Sequence, residues 1–165
     1  MLAVRTLVFT ILYPGTVTAL VPWLLLRGSP LPRLGLLGAG GVLLAAVGAA
    51  IYGWCAWGFA VRGRGTPAPY DPPSALVVKG LYQFVRNPMY VGIVCIVLGE
   101  AVVWRSLIMV GYAALLSLGF HLRVVYAEEP ALRRLFGEEF EDYCATVPRW
   151  LPRFSASQVG DGLER

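Results

Sequence analysis

The residues of this chain best suited to chemistry are polar groups set directly against apolar runs. The segment Lys79-Gly80-Leu81-Tyr82-Gln83-Phe84-Val85-Arg86-Asn87-Pro88-Met89-Tyr90-Val91-Gly92 is turn-forming and passes straight into a long apolar run that begins at Met89. Gly80 has access to backbone angles that other residues avoid. Pro88 biases Asn87 away from the helical region and is itself suited to the first position of a new helix. The pattern predicts that Arg86 and Asn87 sit where an aqueous loop meets a helix N-terminus. Free N–H groups and a partial positive charge there favour an anionic group such as a ligand carboxylate. An ordinary helix cap with a loop arginine at a membrane surface fits the same residues.

The C-terminal third repeats the arrangement. His121, Arg123, Glu128 and Glu129 lie at the end of another apolar run, and Pro130 is expected to start a new helix with both glutamates at its positive end. The glutamates can act on a ligand or only cap that helix. His121 can serve as a base, or bond a backbone carbonyl at the interface. Val147-Pro148-Arg149-Trp150-Leu151-Pro152-Arg153 reads as an extended segment returning to the interface with Trp150 as anchor, and its arginines can also read anionic headgroups. Glu100 falls inside an apolar run. An intramembrane acid is a functional candidate by default, although partial solvation or pairing with Arg105 would also accommodate it.

Composition narrows the class. Of 165 residues, 57% are hydrophobic and 15% charged, with a mean hydropathy of +0.64. Soluble domains carry about 25% charged and about 45–50% apolar residues. The chain therefore reads as an all-α integral membrane protein. No nucleic-acid partner is expected, because basic runs and stacking aromatics are missing. Cys55, Cys95 and Cys144 show neither paired-ligand nor disulfide spacing, so no metal is expected either.

About four transmembrane helices are expected, plus a C-terminal amphipathic helix packed at the cytoplasmic face. The apolar runs are Leu7 to Leu26, Leu34 to Val61, Met89 to Trp104 and Leu107 to Tyr126, each near the roughly 20 residues that a span needs. The third is short and should form a tight hairpin with the fourth across Arg105-Ser106. The first, interrupted by Pro14-Gly15 and Pro22, reads as a retained span. Ala45, Ala49 and Gly53 recur every four positions, a small-residue stripe suited to close helix approach within or between chains. A proline-stiffened loop follows Arg62, and Ser74-Ala75-Leu76-Val77-Val78 is strand-like. Leu132, Leu135, Phe136, Phe140, Tyr143 and Val147 mark the apolar stripe of the amphipathic helix. The chain divides into two N-terminal spans (1–61), a core (62–153) and a flexible tail (154–165). With the N-terminus cytoplasmic, eleven Lys and Arg lie inside and only Arg27, Arg33 and Arg105 outside, as the positive-inside rule requires. Both termini and both polar clusters then share the cytoplasmic face.

The stretch from Ser74 to Gly92 resembles the signature LVxxGxYxxxRxPxYxG of the isoprenylcysteine carboxyl methyltransferases, which are related to the membrane phospholipid methyltransferases. The stretch around His121 with Glu128-Glu129, Leu132, Phe136-Gly137, Phe140, Tyr143 and Val147-Pro148-Arg149 is similar to that family's C-terminal half. The likeness covers about residues 74 to 153. It implies a membrane-embedded enzyme using S-adenosylmethionine, without a Rossmann domain, in a cytoplasmic pocket between the two blocks. It also implies a cofactor shell of Ser74, Ala75, Leu76, Val77, Tyr82, Arg86, Asn87, Pro88, Met89, Tyr90, Glu128 and Glu129. Ser74 departs from the histidine that family members often carry. Tyr82 and Tyr90 suit the adenine or the sulfonium.

Methyl transfer needs donor and acceptor aligned and water excluded. A carboxylate acceptor needs a cationic clamp rather than a base, and arginine suits it as a bidentate partner. Arg149 is the leading candidate and Arg123 the second, with Glu141 or Asp142 orienting the clamp. An amine or thiol acceptor would instead give weight to His121 or Glu129 as proton acceptors. The expected activity is therefore carboxyl O-methylation of an isoprenylated cysteine or similar lipophilic acid entering from the bilayer among membrane lipids. N-methylation of phosphatidylethanolamine, S-methylation of a small hydrophobic thiol, or a non-enzymatic lipid-binding role are the alternatives.

Overall fold

The computed structural model describes residues 12–32, 35–62, 76 and 78–152, side chains of 59–62 excepted. The described residues form helices and connecting turns, with no strand among them. In order they are α1 (Leu12–Leu25), α2 (Leu36–Arg62), a 3-10 turn (Gly80–Gln83), α3 (Pro88–Trp104), α4 (Leu107–Arg123), α5 (Glu129–Phe136) and α6 (Glu138–Thr146). Two stretches are long and apolar enough to cross a membrane, Leu36–Gly58 and Leu107–Phe136. Only 17% and 22% of their apolar windows is buried inside the protein, whereas the core helix of a soluble fold would be mostly covered. Trp54, Trp57, Leu115 and Leu118 are among the large apolar side chains left facing outward.

α2 and α3 pack at backbone contact. A Cβ added at Gly48 would lie 2.5 Å from the Gly92 carbonyl oxygen, and one at Gly99 would lie 2.5 Å from that of Gly41. Gly41 and Gly48, like Gly92 and Gly99, are seven residues apart, which places each pair on one face of its helix. This seam corrects the expected stripe. Ala45 belongs to it, touching Gly99, but Ala49 and Gly53 are exposed and nothing lies within 4 Å of a Cβ at Gly53. The strict four-residue spacing drifts around the helix, whereas the seven-residue spacing stays on the seam.

α3 has 17 residues and is about 25 Å long, slightly short of the ~30 Å hydrocarbon layer. It turns into α4 through Arg105, held at φ 49°, and Ser106, whose Oγ accepts from Met109 N at 3.3 Å. Val97, Ala101, Met109 and Ala113 form the buried core of this hairpin with Leu26.

Prolines shape α1. A π turn at Thr16–Leu20 has the Val21 N–H donating to the Thr16 carbonyl. In that register Val17 would be served by residue 22, which is proline and has no N–H. The Tyr112 hydroxyl donates to the Val17 carbonyl instead, at 2.9 Å. An unpaired carbonyl is costly in an apolar medium. Tyr112→Phe is therefore expected to lower stability in detergent by about 0.6–1.7 kcal/mol, the range of interhelical hydrogen bonds in membranes. An unchanged unfolding midpoint would show that the contact contributes nothing.

The expected helix start at Pro130 is not where the chain breaks. α4 runs through a π turn (Val124–Glu128) directly into α5, making one helix of 30 residues, about 45 Å long. Glu128 has helical backbone angles, so Pro130 lies early in a continuing helix, where its missing N–H is tolerated by the widened turn. The expected single amphipathic helix is split instead at Gly137, whose φ of 54° favours glycine. Phe140, Tyr143 and Val147 are buried as the stripe predicted, against Leu132 and Phe136, while Leu135 is exposed. Leu76 and Val78 complete this cluster and tie the start of the core to its end.

Candidate functional site

The site forms where the beginning of α3, the π turn, α5 and the segment after α6 converge. In an α-helix, residues five apart point about 140° away from each other. The π turn overcomes that separation, and Arg123 Nε donates to Glu128 Oε1 at 2.7 Å. The Tyr90 hydroxyl, from the first turn of α3, donates to the same oxygen at 2.5 Å, and its ring stacks on Phe120 with centroids 4.4 Å apart. Among the described residues, Glu128 Oε2 and the two Nη groups of Arg123 make no hydrogen bond.

Glu129, one residue on, faces a different set. Its side chain is 5% exposed, yet it is surrounded by arginines. Arg149 donates through Nε to Oε1 at 2.7 Å and through Nη2 to Oε2 at 2.9 Å. Arg86 Nη1 lies 3.2 Å from Oε1 and Arg133 Nη2 lies 3.8 Å from Oε2. Arg133 also donates to Glu141, which is exposed, at 2.6 Å. The carboxylate that orients Arg149 is thus Glu129, not Glu141 or Asp142 as the sequence suggested.

The segment after α6 is fastened to the start of α3. The Arg86 amide donates to the Pro148 carbonyl at 2.9 Å and Asn87 Nδ2 to the Arg149 carbonyl at 3.2 Å. Trp150 Nε1 donates to His121 Nδ1 at 3.2 Å. The helix N-terminus at Pro88 is consequently covered by this strap rather than open, and Arg86 and Asn87 serve the protein's own groups. Arg86 Nη1 also donates to Cys144 Sγ, while its Nε is buried without a partner among the described residues. Nδ1 of His121, the candidate proton acceptor, is thus occupied by Trp150. Pro88 is buried, Met89 and Tyr82 are partly buried, and the Tyr82 carbonyl accepts from Tyr143 at 2.7 Å. Leu76 packs below the site, whereas Ser74, Ala75 and Val77 lie outside the described residues. Glu100 is remote. It is not paired with Arg105 among the described residues, and its Oε2 is buried without a partner.

The structure brings Arg86, Asn87, Tyr90, Arg123, Glu128, Glu129 and Arg149 together, whereas sequence reasoning missed the contacts of Cys144, Arg133 and Trp150. These depend on which helix face each takes after Gly137 and after the π turn, and no local motif encodes that.

The pattern of the phospholipid methyltransferase family matches residues 37–139, more than half of the chain. The chain belongs to that family. Among curated methyltransferase-family relatives, a probable protein-S-isoprenylcysteine O-methyltransferase of Oryza sativa subsp. japonica is 32% identical over 84 residues, covering 50% of this chain and 44% of the relative. The protein-S-isoprenylcysteine O-methyltransferase of Schizosaccharomyces pombe is 31% identical over 77 residues, 47% of this chain and 33% of its own. A nickel-cobalt-cadmium resistance protein, NccN, of Alcaligenes xylosoxydans xylosoxydans is 33% identical over 118 residues, 70% of this chain and 48% of its own. The chain thus spans a third to a half of the length of these relatives. No solved structure matches it significantly. As a phospholipid methyltransferase family member, it places both polar clusters described above at or near the matched region, with the strap just beyond it.

Proposed function

We propose that this chain is a multi-pass membrane methyltransferase that uses S-adenosylmethionine to O-methylate the carboxylate of an isoprenylated cysteine or a similar lipophilic acid. In this reading four helices cross the bilayer and the site faces the cytoplasm. The observation that carries the acceptor class is the charge count around Glu129. Among the described residues Arg86, Arg133 and Arg149 face Glu129 and Glu141, which leaves one positive charge uncompensated there. An acceptor carboxylate would balance it, and Arg149 has its Nη1 edge uncommitted among the described residues.

The residues also fit the cofactor. Among the described residues Glu128 has one open oxygen, suited to an ammonium or ribose hydroxyl, and Tyr90 places an aromatic ring beside it. When bound, S-adenosylmethionine supplies a methyl group whose bond to sulfur breaks as the acceptor oxygen bonds to carbon. No proton has to move, so no general base is required. Arg149, with the charge of Arg86 behind it, holds the acceptor oxygen's charge, Arg123 keeps Glu128 oriented, and the strap keeps water from the start of α3. An amine acceptor fits less well, because Glu128 and Glu129 are both tied to arginines and His121 Nδ1 already accepts from Trp150.

The test is an acceptor panel with methyl-labelled cofactor and purified protein. Farnesylated N-acetylcysteine should gain a base-labile methyl ester, while phosphatidylethanolamine and hydrophobic thiols should gain no label. Label on the amine or thiol alone would replace the acceptor class, and binding without transfer to any acceptor would favour a non-enzymatic lipid-binding role.

A further inference from the structure

The two neighbouring glutamates are alike in sequence but differ in what they have left to offer. Among the described residues Glu128 uses one oxygen and keeps the other. Glu129 has both oxygens committed, Oε1 to Arg149 and Arg86, and Oε2 to Arg149 and Arg133. Its side chain is also almost fully enclosed, so no lone pair faces an incoming ligand. The resemblance would assign both glutamates to the cofactor, but only Glu128 has the geometry for it.

The Arg149 contact is two-pointed. Binding through Nε and Nη2 fixes the plane and the rotation of the guanidinium and turns its remaining Nη1 edge away from Glu129. The Arg149 side chain is 30% exposed, so that edge has room for a second anion. Arg86, 12% exposed, shares Oε1 and supplies a second fixed positive charge.

We propose that Glu129 is a positioning residue, which holds Arg149 and Arg86 so that the free edge of Arg149 meets the acceptor carboxylate, and that it does not touch the cofactor. This rests on the acid-acceptor reading above. Glu129 keeps the arginine side chains from collapsing onto other carbonyls and lowers the entropy lost when the acceptor binds. It also holds the strap, since Arg149 carries the carbonyl that Asn87 binds.

The experiment uses the full chain in detergent, with Glu129→Gln, Arg149→Ala and the double variant. The cofactor dissociation constant is read by titration and kcat/KM with farnesylated N-acetylcysteine. Glu129→Gln should lower kcat/KM at least about tenfold, with cofactor affinity within about twofold of wild type. In the Arg149→Ala background the same substitution should cost less than about twofold more, because its effect passes through Arg149. Cofactor binding weakened tenfold, or losses that multiply in the double variant, would overturn the proposal. A structural readout separates this from failure of the acceptor reading. Exchange of the Arg86 amide, bonded to Pro148, should quicken in Glu129→Gln whichever acceptor is methylated, and unchanged exchange would overturn the positioning role. If Glu129→Gln does not fold, Glu129→Asp keeps the charge one methylene short and should show the same pattern at reduced size.

Discussion

In Arg149→Ala, turnover of a prenylated acid is expected to fall by about 10²–10³, the loss seen when a fixed charge-stabilising donor is removed from an active site. The cofactor dissociation constant should remain within about twofold, because Glu128 and Tyr90 are untouched. Arg149→Lys should recover little. An ammonium can contact Glu129, but it cannot hold one carboxylate along one edge and present a second edge to another. Steady-state kinetics with the acceptor varied, paired with cofactor titration, separates the two parameters. Equal losses in cofactor affinity and turnover would place Arg149 on the cofactor instead.

The largest effect on stability is expected at the α2–α3 seam. In Gly48→Val, the new Cβ would meet the Gly92 carbonyl oxygen at 2.5 Å, the Ile96 amide nitrogen at 2.8 Å and the Cys95 Cβ at 2.9 Å. Two of these obstacles are backbone and cannot rotate aside, so the helices must separate along the seam. The cost should exceed the ~1–3 kcal/mol typical of overpacked cores. The protein should lose its cooperative unfolding transition in detergent, and cofactor binding with it. Gly53→Ala provides the contrast. Nothing lies within 4 Å of its Cβ, and alanine is the better helix former. It should leave the midpoint unchanged or slightly higher. A tolerated Gly48→Val would refute the seam.

Much of this fold could be read from local chemistry. Pro88 starts α3 and Arg105-Ser106 ends it, because proline, a left-handed residue and a capping serine act within a few positions of themselves. The buried faces of Phe140, Tyr143 and Val147 followed from their spacing. The break at Gly137 is not marked in the sequence, because helical periodicity continues across it. The π turn at Val124–Glu128 left no trace in composition, yet it decides that Glu128 faces Arg123 and Tyr90 while Glu129 faces Arg86 and Arg149. Small residues are common throughout α2, so spacing by four selected Ala49 and Gly53. Only the partner helix, with Gly92 and Gly99, selects Gly41 and Gly48. The chemistry-bearing residues were recognisable one by one. Their pairing was not, because Arg86, Glu129 and Arg149 meet across three separate segments.

In the proposed reading S-adenosylmethionine binds beside Glu128, between the start of α3 and the π turn. Direct titration of the labelled cofactor into wild type and Glu128→Ala, with unfolding midpoints recorded alongside, tests it most directly. Wild type should bind saturably, and Glu128→Ala should bind at least about tenfold more weakly at an unchanged midpoint, as expected for loss of a charge-assisted contact. Equal affinity in the two proteins would contradict it.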